Sequence, residues 1–384
     1  MKNEIGKRVK QPTREEKRKK ITSRVVLIVV LIVALLSATA LAGYLVFDHY
    51  YGKLNYKELD DDYEINTDVE LAPDKEKPTV EEATEEEIAA IDENVDAQSD
   101  LDLDFDDKNV LNILLVGTDN RSEDTTGSRT DSIMICSINR DTKKITLSSV
   151  MRDTYVDIPN VGHNRINAAF SYGGIELLLD TIELNYGIPI DKYMLVDFYS
   201  FIDIVDKMGG VTVTVSAAEI KVMQMYIKDV SEEQGIYDYW DEMISTDQAG
   251  TVHLSGAQAL AYARVRYVGN ADFDRTKRQR TVISALFDQV KELSLSEIQG
   301  LADEALPLIT TNLTESEALG FVLNAATYLD YDMMSFRMPM DGTYENANIR
   351  GMSVLSVDFD TNSNAWYETV YNGSTDYIDV EDDD

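Results

Sequence analysis

Cysteine and histidine are nearly missing from this sequence. Cys136 is the one cysteine among 384 residues, so no intrachain disulfide and no cysteine-based metal cluster can form. The three histidines, His49, His163 and His253, are scattered, which leaves little raw material for a His-based zinc site or a Ser–His–Asp triad. Positive charge is scarce as well. The 35 Lys/Arg face 70 Asp/Glu, a net charge of −35. A body this acidic is unsuited to the phosphate contacts on which nucleic-acid binding rests, so no nucleic-acid partner is expected.

The basic charge that exists is placed unevenly. Residues 1–24 hold ten Lys/Arg against three Glu, net +7. Val25 to Phe47 is apolar and uncharged. Its roughly 23 residues, at about 1.5 Å each, reach about 34 Å as a helix, enough to cross a bilayer. A cleaved signal peptide has a shorter apolar core before its small-residue site, whereas here apolar residues continue past Ala38-Thr39-Ala40 and Ala40-Leu41-Ala42. We therefore expect a signal-anchor: residues 1–24 as a basic cytoplasmic tail and 25–47 as one transmembrane helix. The positive-inside rule then puts the C-terminal bulk on the outer side of the cell membrane.

Residues 48–107 carry 23 acids against four Lys, with Pro73 and Pro78. That composition predicts an acidic extracellular linker, kept extended by self-repulsion, with a transient helix at Glu85 to Ile91. Residues 341–384 carry eleven acids and one Arg. The stretch 343–384 reads as an extension that starts ordered and frays into an acidic tail. Between them, 108–342 has the length of one domain.

Within that domain, strand and helix patterns alternate. Leu111 to Val116 reads as a buried strand, and Ser132 to Ile138 with Lys144 to Val150 as a hairpin-like pair. Asn164 to Tyr172 and Ile175 to Tyr186 read as helices separated by Gly173-Gly174. Tyr193 to Val196 is a short strand, Phe198 to Lys207 an amphipathic helix and Val211 to Val215 a strand. Residues 217–250 look irregular. Ser255 to Ala263, Arg275 to Leu293, Ser296 to Ile309 and Thr314 to Leu329 look helical, and Met333 to Met338 adds a last strand. The sum predicts an α/β fold: a central mixed β-sheet flanked by helices.

The arginines cluster. Arg121 and Arg129 follow the first strand, Arg152 follows the third, and Arg264, Arg266, Arg275, Arg278 and Arg280 fall in one short stretch. Guanidinium forks at strand ends and at one helix start suit an anion with phosphate-like oxygens. Arg264 and Arg266 are two apart and point the same way on an extended segment. Arg275, Arg278 and Gln279 share a helix face in a first turn, where free N–H groups favour an anion. Asp272 or Asp274 also suits capping that turn. The same pattern fits surface ion pairs with the abundant carboxylates. Asp119 and Asp131 sit beside arginine motifs, as a Mg²⁺–pyrophosphate site would need, and equally as a turn cap and a salt bridge would.

Together the motifs resemble the LytR–CpsA–Psr (LCP) family. The matching blocks are Asn112-Ile113-Leu114-Leu115-Val116-Gly117-Thr118-Asp119, Ser128-Arg129-Thr130-Asp131-Ser132, Ser149-Val150-Met151-Arg152-Asp153-Thr154 and Arg165-Ile166-Asn167-Ala168-Ala169. Then come Met208-Gly209-Gly210-Val211, Leu254-Ser255-Gly256, Ala259-Leu260-Ala261-Tyr262-Ala263-Arg264-Val265-Arg266, and Asp272-Phe273-Asp274-Arg275 with Arg278-Gln279. They run in order over about residues 109–342. One departure is Asp274, where the family pattern Asp-Phe-Gly-Arg has glycine; it adds a negative charge beside the expected phosphate site.

The resemblance implies an LCP-type domain and a transferase. Such enzymes move an anionic glycopolymer, of teichoic acid or capsular polysaccharide type, from a polyprenyl-pyrophosphate carrier to peptidoglycan, with Mg²⁺ assisting. It carries over Asp119 and Asp131 as magnesium-binding, catalytic carboxylates. It places Arg129, Arg152, Arg264, Arg266, Arg275 and Gln279 around the pyrophosphate, with Arg121 and Arg278 as further members. Arg152 counts among the catalytic groups. Asp119 or Asp272 is the candidate base on proximity in the motif, and His163 reads as a turn or surface residue. A lipid groove is implied too, with Ile166, Phe170, Leu177, Phe198, Phe201 and Val205 as candidate lining. Tyr226, Tyr237, Tyr239 and Trp240 offer stacking surfaces for acceptor sugars. Two rival readings stay open at this level: a pyrophosphatase using the same clamp on water, and a non-catalytic surface or regulatory (attenuator) protein.

Overall fold

The computed structural model describes residues 44–45, 47–69, 71, 78–98, 101, 103–105, 107–118, 130–190, 192–234 and 238–378. The chain divides into two units, residues 1–52 and 53–384. In the first, the described residues are helical at 44–45 and 47–51. The expected span at 25–47 lies almost wholly outside the described residues, and none of the described helices is long and apolar enough to cross a membrane.

In chain order, the second unit begins with β1 (Asn55–Tyr56), α1 (Glu85–Ala97), β2 (Val110–Thr118), β3 (Thr130–Asn139) and β4 (Lys144–Val150). It continues with β5 (Tyr155–Ile158), β6 (Gly162–Arg165), α2 (Asn167–Tyr186), β7 (Lys192–Asp197), α3 (Phe198–Lys207) and β8 (Val211–Val215). Next are α4 (Ala217–Gln234), α5 (Tyr239–Glu242), β9 (Gly250–Leu254), α6 (Gly256–Arg264), α7 (Ala271–Glu292) and α8 (Leu295–Ala305). The last are β10 (Thr310–Thr311), α9 (Glu315–Tyr328), β11 (Asp332–Met338), β12 (Tyr344–Ile349), β13 (Met352–Val357) and α10 (Phe359–Val370).

Seven strands form one sheet in the order β1-β10-β7-β2-β3-β4-β11. β2 is parallel to β7 and antiparallel to β3, while β4 is antiparallel to β3 and parallel to β11, so the sheet is mixed as expected. Both faces are covered, which is why its strands read as near-continuous apolar runs. Strand alternation still sorts the two faces. Leu114, Val116, Ile133 and Ile135 join the main core with α2 and α10. Leu115, paired with Met134 on one side and Met194 on the other, faces the opposite way, toward α3, α6 and α7.

Local chemistry sets the element ends. Asp197 caps α3, its Oδ1 accepting from the Tyr199 and Ser200 amides at 2.9 and 2.8 Å. Gly210 follows α3 at φ +90°, and a Cβ there would meet the Leu254 carbonyl at 2.5 Å. α2 is broken at Gly173 (φ −150°, ψ 23°) and Gly174 (φ 68°, ψ −153°), so it consists of two helical segments separated by those glycines, as expected. It starts at Asn167 because Gly162–Arg165 pairs instead with β5.

Three expectations change. Residues 217–234 are helical, not irregular: Ile220, Met223, Ile227 and Val230 form one buried stripe at helical spacing. The acidic stretch 48–107 is not simply an extended linker. Asn55 and Tyr56 pair with β10, and α1 carries a Thr84–Glu87 capping box. Ile88 and Val95 of α1 enter the main core at 4 % and 0 % exposure, so docking onto a formed core supplies what composition alone withholds. Finally, the C-terminal extension starts ordered as expected, but as far as α10 it is part of the domain and not an addition after residue 342. Trp366 is 0 % exposed and its indole N–H donates to Ser148 Oγ at 3.0 Å. Residues 379–384 lie outside the described residues.

Truncating Trp366 leaves a large cavity between α10 and the sheet. Trp366→Ala is expected to cost about 3–5 kcal/mol, read from the midpoint of a denaturant melt. A loss under about 1 kcal/mol would show that α10 is only appended to the domain.

Candidate active site

Four elements converge at one end of the sheet. β4 ends at Val150 and leads to Arg152, while β3 starts beside Asp131. α6 ends on Arg264, and the segment after it carries Arg266. The first turns of α7 carry Asp272, Arg275 and Gln279.

Two carboxylates hold the guanidinium groups together. Asp272 is 7 % exposed. Its Oδ1 lies 2.8 Å from Arg275 Nη2 and 3.5 Å from Arg152 Nε, and its Oδ2 lies 2.6 Å from Arg266 Nη2. Asp131 Oδ1 lies 3.1 Å from Arg152 Nη1, and Gln279 Nε2 donates to the Asp131 carbonyl at 3.3 Å. Arg264 is held differently, its guanidinium 4.9 Å from the Phe198 ring centre and 5.1 Å from that of Tyr226. Asp153 joins the two carboxylates, its Oδ2 3.8 Å from Arg152 Nε and its Oδ1 3.1 Å from Arg165 Nη1, so five arginines face three aspartates and the local balance is positive inside an acidic domain.

Burial alone would raise the Asp131 pKa, but Arg275, Arg152 and Arg264 together outweigh it and hold the carboxyl below its usual value. Burial, then Arg152, pushes Arg275 the other way, against Asp272 and Asp131. It remains a cation, because a guanidinium is not deprotonated in a protein. Its Nε is buried with no hydrogen-bond partner among the described residues.

Behind this cluster lies a cavity of about 250 Å³. Leu115, Met134, Met194 and Val196 of the sheet form one wall, with Phe198 and Phe201 of α3, Leu260 of α6, and Val282, Ile283 and Leu286 of α7 opposite. Asp131, Ser132, Asp197, Arg264, Arg275 and Gln279 are its polar lining, with Asp197 committed to the α3 cap. One compartment therefore joins hydrocarbon walls to a cationic end.

The structure brings together Asp131, Arg152, Arg264, Arg266, Asp272, Arg275 and Gln279. Asp119, Arg121 and Arg129 lie outside the described residues. Arg278 does not join the group. Its Nε donates to Glu219 Oε1 at 2.6 Å, Nη1 to the Val265 carbonyl at 2.9 Å and Nη2 to that of Val268 at 3.2 Å, so protein groups already occupy each nitrogen. Asp272, expected as a candidate base, has both oxygens against guanidinium groups, a geometry that suits holding arginines rather than taking a proton. His163 is elsewhere, its ring nitrogens 3.2 and 2.8 Å from Asp92 and Asp96 of α1.

Of the six apolar residues expected along a lipid groove, Phe198 and Phe201 line the cavity. Ile166, Phe170 and Leu177 are fully buried in the core on the other sheet face, and Val205 packs with β8 and α4. Hydropathy marks these residues as apolar but does not say which face of the sheet they cover. The lining that sequence reasoning missed, Leu115, Met134 and Met194, carries a usable signal: strand alternation puts it opposite the Leu114 face. Tyr226 stands over Arg264, whereas Tyr237 and the Tyr239 side chain are outside what is described. Trp240 is exposed.

The sequence profile of the LytR_cpsA_psr family matches residues 70–369. The chain belongs to that family. Regulatory protein MsrR of Staphylococcus aureus (strain COL) is 32 % identical over 260 residues, covering 66 % of this chain and 72 % of MsrR. The polyisoprenyl-teichoic acid–peptidoglycan teichoic acid transferase TagT of Bacillus subtilis (strain 168) is 33 % identical over 217 residues, covering 56 % of this chain and 63 % of TagT. TagT bound to LI-WTA superposes with a TM-score of 0.54 at 26 % identity, over 72 % of this chain and 95 % of that one. TagT with bound octaprenyl pyrophosphate lipid gives 0.51 at 25 % identity, over 71 % and 96 %.

Against the family's Asp-Phe-Gly-Arg, Asp274 turns to its own loop. Its Oδ2 accepts from the Asn270 amide at 2.8 Å and lies 4.0 Å from Arg278 Nη2. The added charge is thus taken up on the Arg278 side of α7.

Asp131 is depressed in the folded state, so its contribution to stability is present above the unfolded carboxylate value near 3.9 and is lost as pH falls through the lower folded value. Wild type should therefore lose thermal stability more steeply than Asp131→Asn below about pH 4. Parallel melting-temperature profiles between about pH 5 and 2 would show that no such pairing exists.

Proposed function

We propose that this chain transfers an anionic glycopolymer, of teichoic acid or capsular polysaccharide type, from a polyprenyl-pyrophosphate carrier to peptidoglycan, making a phosphodiester link during cell-wall assembly. The carrying observation is the cavity that ends in arginines, because it suits the two halves of such a carrier at once. The apolar walls take the polyprenyl chain. Arg152, Arg264, Arg266 and Arg275 take the pyrophosphate, with Gln279 beside them.

In the reaction, an acceptor hydroxyl attacks the phosphorus that bears the glycan. The bond from that phosphorus to the bridging oxygen breaks, polyprenyl phosphate leaves with the electron pair, and the hydroxyl proton passes to a base or to water. Arginines held together before the carrier arrives would need little reorganisation to meet the oxygens on which charge builds. Asp272 keeps them in place. Mg²⁺ belongs to the proposal as well. Asp131, ionised and at the polar end of the cavity, would hold it with Asp119, and the ion would supply further neutralisation of the pyrophosphate. The work is assigned to the outer face of a bacterial cell membrane, with residues 25–47 as the anchor.

The pyrophosphatase reading uses the same clamp with water as acceptor, and the regulatory reading agrees with the name MsrR. Neither accounts for more of the cavity. Incubating the protein with lipid-pyrophosphate-linked sugar, Mg²⁺ and peptidoglycan fragments separates all three. Covalent glycan on the fragments supports transfer, free sugar phosphate supports hydrolysis, and no turnover supports the regulatory reading. Arg266→Lys keeps charge but loses the fork, and is expected to cut turnover by at least about tenfold. Ile283→Glu puts a carboxylate on the chain path and should weaken octaprenyl pyrophosphate binding by more than about tenfold in calorimetry. Wild-type affinity in that variant would remove the cavity as the lipid site.

A further inference from the structure

The segment 265–270, between α6 and α7, carries Arg266 and follows directly on Arg264. Its backbone is gripped at both ends. Arg278 reaches from the second turn of α7 to the carbonyls of Val265 and Val268, and Glu219 at the start of α4 holds Arg278 Nε. Burial works against the Glu219 charge, but the Ser216 amide and Arg278 more than compensate, so the anchoring carboxylate stays ionised. At the other end, Asp274 Oδ2 takes the Asn270 amide. Asn270 is the residue before α7 and makes no side-chain cap of its own.

Two backbone features show how tightly this corner is made. Gly269 sits at φ +72°, and a Cβ there would lie 1.8 Å from Asp274 Oδ2. A glycine is thus required at 269 while the carboxylate stands at 274. Ala271 is held at φ +46°, a conformation that a residue with a Cβ adopts at a cost. Asp272, which gathers Arg152, Arg266 and Arg275, comes immediately after it.

We propose that Asp274, Arg278 and Glu219 act as positioning residues, clamping segment 265–270 so that Arg264 and Arg266 are set before a pyrophosphate arrives. Asp274 supplies its share of the restraint by a side-chain acceptor for the Asn270 amide. The inference rests on the reading of the arginine cluster as a pyrophosphate site, but its mechanical half stands without it.

The full chain should be compared with Asp274→Gly, Asp274→Asn, Gly269→Ala, the Asp274→Gly/Gly269→Ala double variant and Arg278→Lys. Hydrogen exchange over 265–271 and affinity for octaprenyl pyrophosphate are both measured. Asp274→Gly is expected to speed exchange across the segment and weaken binding about tenfold, the worth of one charge-assisted hydrogen bond. Asp274→Asn keeps an acceptor for the Asn270 amide and should restore most of both. Arg278→Lys keeps the charge but cannot span Val265 and Val268, so it should resemble Asp274→Gly. Gly269→Ala should harm the Asp274→Gly background less than wild type, because the clash partner is gone. Unchanged exchange in Asp274→Gly, or equal damage from Gly269→Ala in both backgrounds, would overturn the clamp. Faster exchange with unaltered octaprenyl pyrophosphate affinity would overturn its link to the site. A wild-type protein that does not bind octaprenyl pyrophosphate would instead count against the functional reading, while exchange and the Gly269–Asp274 coupling would still decide the mechanical half.

Discussion

The burial of Asp272 among three guanidinium groups is the interaction on which the rest of this end of the molecule depends. Arg152, Arg266 and Arg275 come from three separate segments, and each repels the others. Taking such charges out of water is costly unless they are paired and hydrogen-bonded. Asp272 supplies the shared counter-charge and Asp131 a second one. A single carboxylate thus fixes the relative placement of β4's end, the α6–α7 segment and the first turn of α7. Asp153 and Arg165 extend the cluster, so five guanidinium groups face three carboxylates, an excess of positive charge that suits a further anion, and the Nε of Arg275 is buried with no hydrogen-bond partner among the described residues.

Helix α7 joins this charged end to the apolar cavity. Arg275, Gln279, Val282, Ile283 and Leu286 all contribute to the lining and recur at helical spacing along one face. Over these turns, about 16 Å of helix, the face passes from cation to amide to hydrocarbon. The opposite wall makes the same passage in a different way. Asp131 lies at the irregular start of β3, Met134 is three residues further in, and Met194 and Leu115 continue the apolar row across β7 and β2. A helix and a sheet therefore present matched gradients of polarity, the pattern an amphiphile with an anionic head would fill.

Much of this was legible in the sequence, for identifiable reasons. β2, β3, β4, β7, β8 and β11 announce themselves as apolar runs between turn residues, and α3 runs from Phe198 to Lys207 as its periodicity predicts. The arginine spacing pointed to a cluster. What stayed hidden depends on packing partners. α1 looked like solvated linker because its many acids mask Ile88 and Val95, which matter only once a core exists to receive them. The stripe in α4 was present but broken up by polar neighbours. Arg278 shares a helix face with the cluster arginines, yet Glu219, some 59 residues earlier in sequence, captures it. Likewise, Ile166, Phe170 and Leu177 are as apolar as any cavity residue, and only the sheet decides that they lie on its other side.

The remaining tension is between an acidic protein and an anion-binding site. Outside the cluster, carboxylates predominate: residues 108–340 alone carry a net charge of −13. At physiological salt, exposed charges more than about 8 Å apart are largely screened from each other. The distant carboxylates then contribute little at the cavity, and the groups within a few ångströms govern its potential. Those groups are Arg152, Arg165, Arg264, Arg266 and Arg275 against Asp131, Asp153 and Asp272, in a half-buried setting where screening is weak. Surface acidity and a cationic pocket are compatible because they act over different ranges. Acidity keeps other polyanions from adhering to the body at large, and the pocket rewards only an anion that comes within bonding distance of its guanidinium forks.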